Sequence, residues 1–173
     1  MRPLPVETLI ALALESLRSG TIASLIMMPF GLFFKWLGLR VGHYGPKVGE
    51  VLFGLQPEPW MQALLLIQHF VIGWLSAVPL LLFWLWRSSP AIRLTDGLVY
   101  GLSYYLVVNA LALPWMFGDA FPWQLGWSYV YPSLVVHLVF GLSLTLTARM
   151  FGFDHAHLNG PSSFRVEIDS QNS

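Results

Sequence analysis

The sequence predicts an all-α integral membrane bundle of four transmembrane helices with both termini in the cytoplasm. Three observations carry that expectation. Hydrophobic residues make up 55% of the 173 residues and charged residues only 10%, whereas soluble domains carry roughly 25% charge. The mean hydropathy is +0.62. Four apolar stretches each reach the roughly 20 residues that cross about 30 Å of hydrocarbon. The eight Trp, six Tyr and twelve Phe fit the same picture, because aromatic rings anchor spans at the membrane–water boundary. Nine basic and nine acidic side chains cancel, which leaves no electrostatic footprint for nucleic acid. The chain has no cysteine, so disulfides, thiolate metal sites and cysteine nucleophiles are excluded.

The N-terminal stretch does not resemble a signal peptide, because Glu15 and Arg18 interrupt its apolar run and no small-residue cleavage site follows. The first span is expected from about Thr8 to Leu37, with Pro29-Phe30-Gly31 inside it; an alternative has this stretch re-entering, which leaves three true spans. Residues 38 to 59 are rich in Gly and Pro and read as an ordered outer loop or a short interfacial helix. The second span, Trp60 to Trp86, is the cleanest. The third, Leu94 to Met116, runs into the turn-rich "FGDAFPWQLG". The fourth, Trp127 to Met150, is expected to become regular at Pro132, a residue tolerated in a first helical turn. Residues 1–152 then form the membrane domain, and 153–173 a polar cytoplasmic tail. Orientation follows the basic residues: Arg2, Arg18, Arg87, Arg93, Arg149 and Arg165 fall inside, against Lys35, Arg40 and Lys47 outside.

Polar residues within the spans are the candidate functional groups, since ionisable side chains in a membrane are costly and face the bundle interior. Entering from outside, His69 lies roughly 13 Å into span two and His137 roughly 9 Å past Pro132, at 1.5 Å per residue. Asn109 sits at comparable depth in span three, so the three are expected to form one intramembrane layer. In span two, Gln62, His69, Gly73 and Ser76 share a helical face; in span four, Ser133, His137, Gly141 and Thr145 recur every fourth residue. Gly97 and Gly101 form a GxxxG pair, a face on which membrane helices approach closely. The first reading of the layer is interhelical hydrogen bonding. Two sharper ones compete with it. The histidines could relay protons or sense acidity, with Glu15 and Arg18 lower in the bundle. They could also be the two axial ligands of a b-type haem, each with a glycine four residues on. A third possibility is a structural or assembly partner in a homo- or hetero-oligomer, docked through the small-residue faces.

Glu15 and Arg18, three apart on one helix face, are expected to form an ion pair. Asp96 suits a helix N-terminus, and Asp119 a capped turn. His155 and His157 have metal-like spacing, but a closed site takes three or four ligands; no metal is expected. No phosphate loop, Ser–His–acid set or catalytic carboxylate pair can be placed, so no catalytic residue and no enzymatic activity is expected.

With these residues placed, the chain resembles the YagU-like family of bacterial inner-membrane proteins over about residues 17 to 150. The likeness is carried by "SGTIASLIMMPFGLFFKW" with Lys35 and Trp36, "QHF", "LTDGLVYG", "LALPWMFGD" and "SLVVHLVFG" in that order. His69, Gly97, Gly101, Pro114, Gly118 and His137 stand at family-like positions. The family tends to have a histidine where Asn109 stands, and its first loop is richer in proline. The resemblance implies a small four-span protein of the bacterial inner membrane, linked to acid tolerance rather than to an assigned reaction.

Overall fold

A computed structural model describes residues 4–42, 44–54, 58–87 and 93–148. The tail from 153, with His155 and His157, and the interior of the "RSSPAIR" turn lie outside the described residues. Five helices are labelled here in chain order: α1 (Val6–Trp36), α2 (Gly45–Phe53), α3 (Glu58–Arg87), α4 (Leu94–Phe117) and α5 (Trp127–Thr147). No strand occurs among the described residues. All but α2 are long and apolar enough to cross a membrane.

Pro29 does not end α1, which continues unbroken to Trp36. Proline costs a helix one hydrogen bond and a clash with the preceding turn. An apolar surrounding offers the freed carbonyl no competing water, so remaining helical is still the best solution. The same logic corrects the expected start of the last span. Regular helix begins at Trp127 rather than Pro132, which sits inside α5. The "PKVGEVLF" part of the first loop forms α2, with Pro46 at the start where its missing N–H costs nothing.

Helix α4 departs furthest from expectation. Its middle, Tyr105–Ala112, is π-helical between ordinary α-helical ends. The widened turn lies directly before Pro114, whose ring would otherwise clash with the carbonyl of Ala110. Such turns rotate the face presented by everything downstream and recur at functional sites. At the end of α4, Gly118 takes a left-handed conformation (φ 65°), and the Asp119 amide bonds back to the Pro114 carbonyl at 2.9 Å. This is the six-residue closure that glycine makes cheap at a helix C-terminus.

The closest helix contacts are α4 with α5, α1 with α3 and α1 with α5, which sets the neighbours in the order α3, α1, α5, α4. Glycine makes the two outer contacts. A Cβ on Gly97 would collide with the Gly141 carbonyl, and one on Gly101 with the His137 carbonyl. One on Gly20 would lie 2.8 Å from the Gly73 carbonyl. The remaining pair, α3 and α4, meets through long side chains. Tyr100 donates to the Ser76 carbonyl, Ser76 Oγ donates to the Tyr104 hydroxyl at 2.7 Å, and Arg87 grips Asp96 at 3.0 Å. The packed centre comprises Leu12, Ala23, Ala77, Leu80, Leu81, Trp84, Phe140, Leu144 and Ala148. Trp36, Trp60, Trp115 and Trp127, at the ends of four helices, are 68–81% exposed at one end of the bundle, with Trp86 at the other; rings so placed mark the headgroup levels.

Gly101→Ala is expected to destabilise by about 1–3 kcal/mol, because the methyl meets backbone that cannot move aside. Gly31→Ala, which meets nothing within 4 Å, should be neutral or stabilising by up to about 1 kcal/mol. Unfolding the two variants by SDS titration in detergent micelles measures both; equal behaviour would show that the contact tolerates a methyl.

Candidate functional site

The chain leaving α1 turns back into the bundle and inserts the backbone of Gly42 between α4 and α5. Its N–H donates to Ser133 Oγ at 2.7 Å, and its carbonyl accepts from Asn109 Nδ2 at 3.3 Å. A Cβ here would sit 2.6 Å from the Tyr129 ring, so a side chain would have to push that ring aside. The second Asn109 N–H points to His137 Nε2, 3.2 Å away. The other ring nitrogen, Nδ1, lies 2.6 Å from the Ser133 carbonyl. A carbonyl can only accept, so Nδ1 carries the proton. Nε2 of the neutral ring is then the acceptor that Asn109 needs. The network assigns one tautomer and one amide orientation. Tyr104 stacks on the imidazole (centroids 5.7 Å, 26° between planes) and Tyr105 flanks it at 5.6 Å. Through Tyr104 the cluster reaches Ser76 and α3.

Outside this cluster lies a latch. Lys47 on α2 bonds both carboxylate oxygens of Asp119, the nearer at a salt-bridge contact and the other at 2.6 Å. Below it Tyr44 stacks on Phe117 (5.6 Å, 17°), and the Lys47 ammonium lies 5.9 Å from both ring centres. Burial, then the nearby Tyr129 and Asp119, push the Tyr44 hydroxyl up to about 12. Asp119 is therefore one arm of an ion pair, whereas a turn cap was expected.

The expected three-residue layer divides in two. Asn109 and His137 bond each other, while His69 sits on the opposite side of α1 from them. Its Nε2 lies 3.3 Å from the Ser24 carbonyl, beside Gly73, where a Cβ would strike Ser24 Oγ. The division follows from the neighbour order: α3 lies against α1, so the shared face of His69 and Gly73 points there. Ser76, on the α4-facing flank, reaches Tyr104, and Gln62 bonds Glu58 on its own helix. The GxxxG face of α4 is likewise occupied within the chain, by Gly141 and the His137 backbone. Nearer the other end, Arg18 grips Glu15 through two nitrogens at 2.7 and 2.9 Å and also donates to the Thr147 carbonyl at 2.6 Å. Asp96 accepts from the Arg93 amide, as a helix-start residue does, and also from Trp84 and Arg87.

A haem does not fit this arrangement. Both His137 nitrogens are engaged, and His69 faces a different helix interface. No group of three or more His, Asp or Glu suited to a metal occurs among the described residues. Gly42, Ser133 and Lys47 are the site residues that sequence reasoning passed over or left unassigned. Glycine inside "RVGHY" was the available signal, because a side chain there meets the Tyr129 ring.

Fold and site together define a multi-pass helical membrane protein whose first loop is tied into the bundle by a polar cluster. Comparison with protein-family models, with curated proteins and with solved structures found no match.

Asn109→Leu leaves the Gly42 carbonyl and His137 Nε2 buried without donors. It is expected to lower stability by about 1–3 kcal/mol, read as earlier thermal unfolding in detergent. For the latch, Tyr44 keeps its proton up to about 12 when docked and only to about 10 when free. The docked state therefore binds more protons across that window, so docking of α2 weakens as pH rises from about 10 to 12. The Tyr44 share of that weakening is what Tyr44→Phe removes. Proteolysis of the first loop at stepped pH should show a shallower rise in that variant.

Proposed function

We propose that this protein is a non-enzymatic, multi-pass protein of a bacterial inner membrane that responds to acid at its outer face and serves pH or small-solute homeostasis. Both termini lie in the cytoplasm, since Arg2, Arg18, Arg87, Arg93, Arg149 and Arg165 then outnumber Lys35, Arg40 and Lys47 across the membrane. The resemblance to the YagU-like family, with its link to acid tolerance, points the same way. The observation that carries the reading is that His137 Nε2 accepts from the same amide whose second N–H holds the Gly42 carbonyl. Protonation makes Nε2 a donor and sets it against the Asn109 NH₂. Turning the amide over repairs that contact but withdraws the donor from Gly42. One proton on His137 is thus exchanged for release of the outer loop, a two-state element of the kind histidine switches use. The groups facing His137 are Tyr104 and Tyr105 of α4, Asn109, and its own helix at Ser133; no charged side chain bonds it among the described residues.

The chain has no cysteine, so a single Leu39→Cys reports on the loop without background. In proteoliposomes, its labelling by an impermeant maleimide, normalised to Glu50→Cys on the exposed face of α2, is expected to rise several-fold from pH 7.5 to 5. Adding His137→Gln, which can accept from Asn109 but does not titrate, should hold the rate low and flat. A wild-type rate that ignores pH, or a His137→Gln rate that follows it equally, removes the switch.

A further inference from the structure

Beside the inserted loop, a cavity of about 280 Å³ opens at the outer end of the bundle, lined by Gly38, Leu39, Arg40, Leu125, Ser128 and Tyr129. We propose that it is a binding site for a phosphate group, supplied by a lipid headgroup or by free phosphate, with Arg40 as the residue that grips it. The proposal is independent of the acid response.

Arg40 is the one charged residue in the lining, and no acidic side chain lines the cavity with it. Arg18, Lys47 and Arg87 each have a carboxylate within ion-pair distance. Arg40, like Lys35 and Arg93, is in no ion pair among the described residues, and of these three only Arg40 lines the cavity. A guanidinium offers a planar fork that matches two phosphate oxygens at once. The Ser128 hydroxyl, across the cavity in the first turn of α5, can donate a further bond. Depth supports the same chemistry. Trp36, four residues before Arg40, and Trp127, next to Ser128, are 79% and 81% exposed, and exposed tryptophans mark the level of the headgroups. At about 30 Å³ per water, the volume accommodates a phosphate group with part of its hydration. Gly38, at φ 73°, turns the chain sharply after α1 and leaves that wall without a side chain.

The test is native mass spectrometry of the full chain released from nanodiscs of phosphatidylcholine and phosphatidylglycerol, with inorganic phosphate as competitor. Wild type is expected to retain phosphatidylglycerol, and Arg40→Gln to bind it about tenfold or more weakly, given the strength of hydrogen bonds to charged groups. Arg40→Lys should recover part of the loss, and Ser128→Ala should lose less than Arg40→Gln. Lys47→Gln, which removes an already paired cation, should bind as wild type. Lipid that persists against millimolar phosphate identifies the headgroup as the source. Lipid displaced by phosphate, with phosphate itself stabilising wild type but not Arg40→Gln, identifies the free anion. Equal binding by wild type and Arg40→Gln, or an equal loss in Lys47→Gln, overturns the site. Thermal melts of all variants check folding, and Ser128→Ala carries the test if Arg40→Gln fails to fold.

Discussion

The interaction on which the rest depends is the pair of hydrogen bonds from Asn109, one N–H to His137 Nε2 and the other to the Gly42 carbonyl. Irregular backbone that enters a membrane protein must find its partners inside the protein, because lipid supplies none. Gly42 is such backbone. Its carbonyl and N–H are met by side chains of two different helices, so α4 and α5 cannot separate or slide without stranding it. The geometry of Asn109 in turn depends on the widened turn of α4, and the tautomer of His137 on the Ser133 carbonyl one turn earlier in α5. Loop, kink and histidine form one construction.

Close helix contact makes that construction available. The backbones of α4 and α5 meet at Gly97, Gly101 and Gly141, below the polar cluster. This brings Asn109 and His137 within bonding distance as the two helices continue outward. The stripe that looked ready to recruit a partner is thus spent on the chain's own fold. At that end of the bundle the Lys47–Asp119 pair and the Tyr44–Phe117 stack hold α2 over the same region. Exposed pairs of this kind contribute little by themselves. At the opposite end Arg18 is used differently. It neutralises Glu15 and caps the Thr147 carbonyl at the end of α5, where a positive charge meets the negative end of the helix dipole. That ties the first helix to the last.

Much of the architecture is legible in the chain. Four long apolar runs can only be four long helices in a medium that supplies no hydrogen bonds. The small-residue stripes announce close contacts, and Glu15 and Arg18 pair because their spacing places them together whatever else happens. Depth along a helix is also local: 1.5 Å per residue set Asn109 and His137 near one level. The prolines behave as the apolar surrounding dictates. α1 runs through Pro29, and α5 starts before Pro132 rather than at it, while the ring of Pro114 accounts for the widened turn upstream.

What the sequence by itself determined was secondary structure, depth and the local pairs, because those depend on residues a few positions apart. It could not determine which helix stands beside which. Only the tertiary structure placed α3 against α1, which turned His69 toward Ser24 and away from His137. Only the fold showed a glycine of the first loop as the third member of the Asn109–His137 cluster. These are contacts between residues as many as 91 positions apart, decided by how helix faces share a limited interior. No periodicity along one strand of sequence encodes that choice.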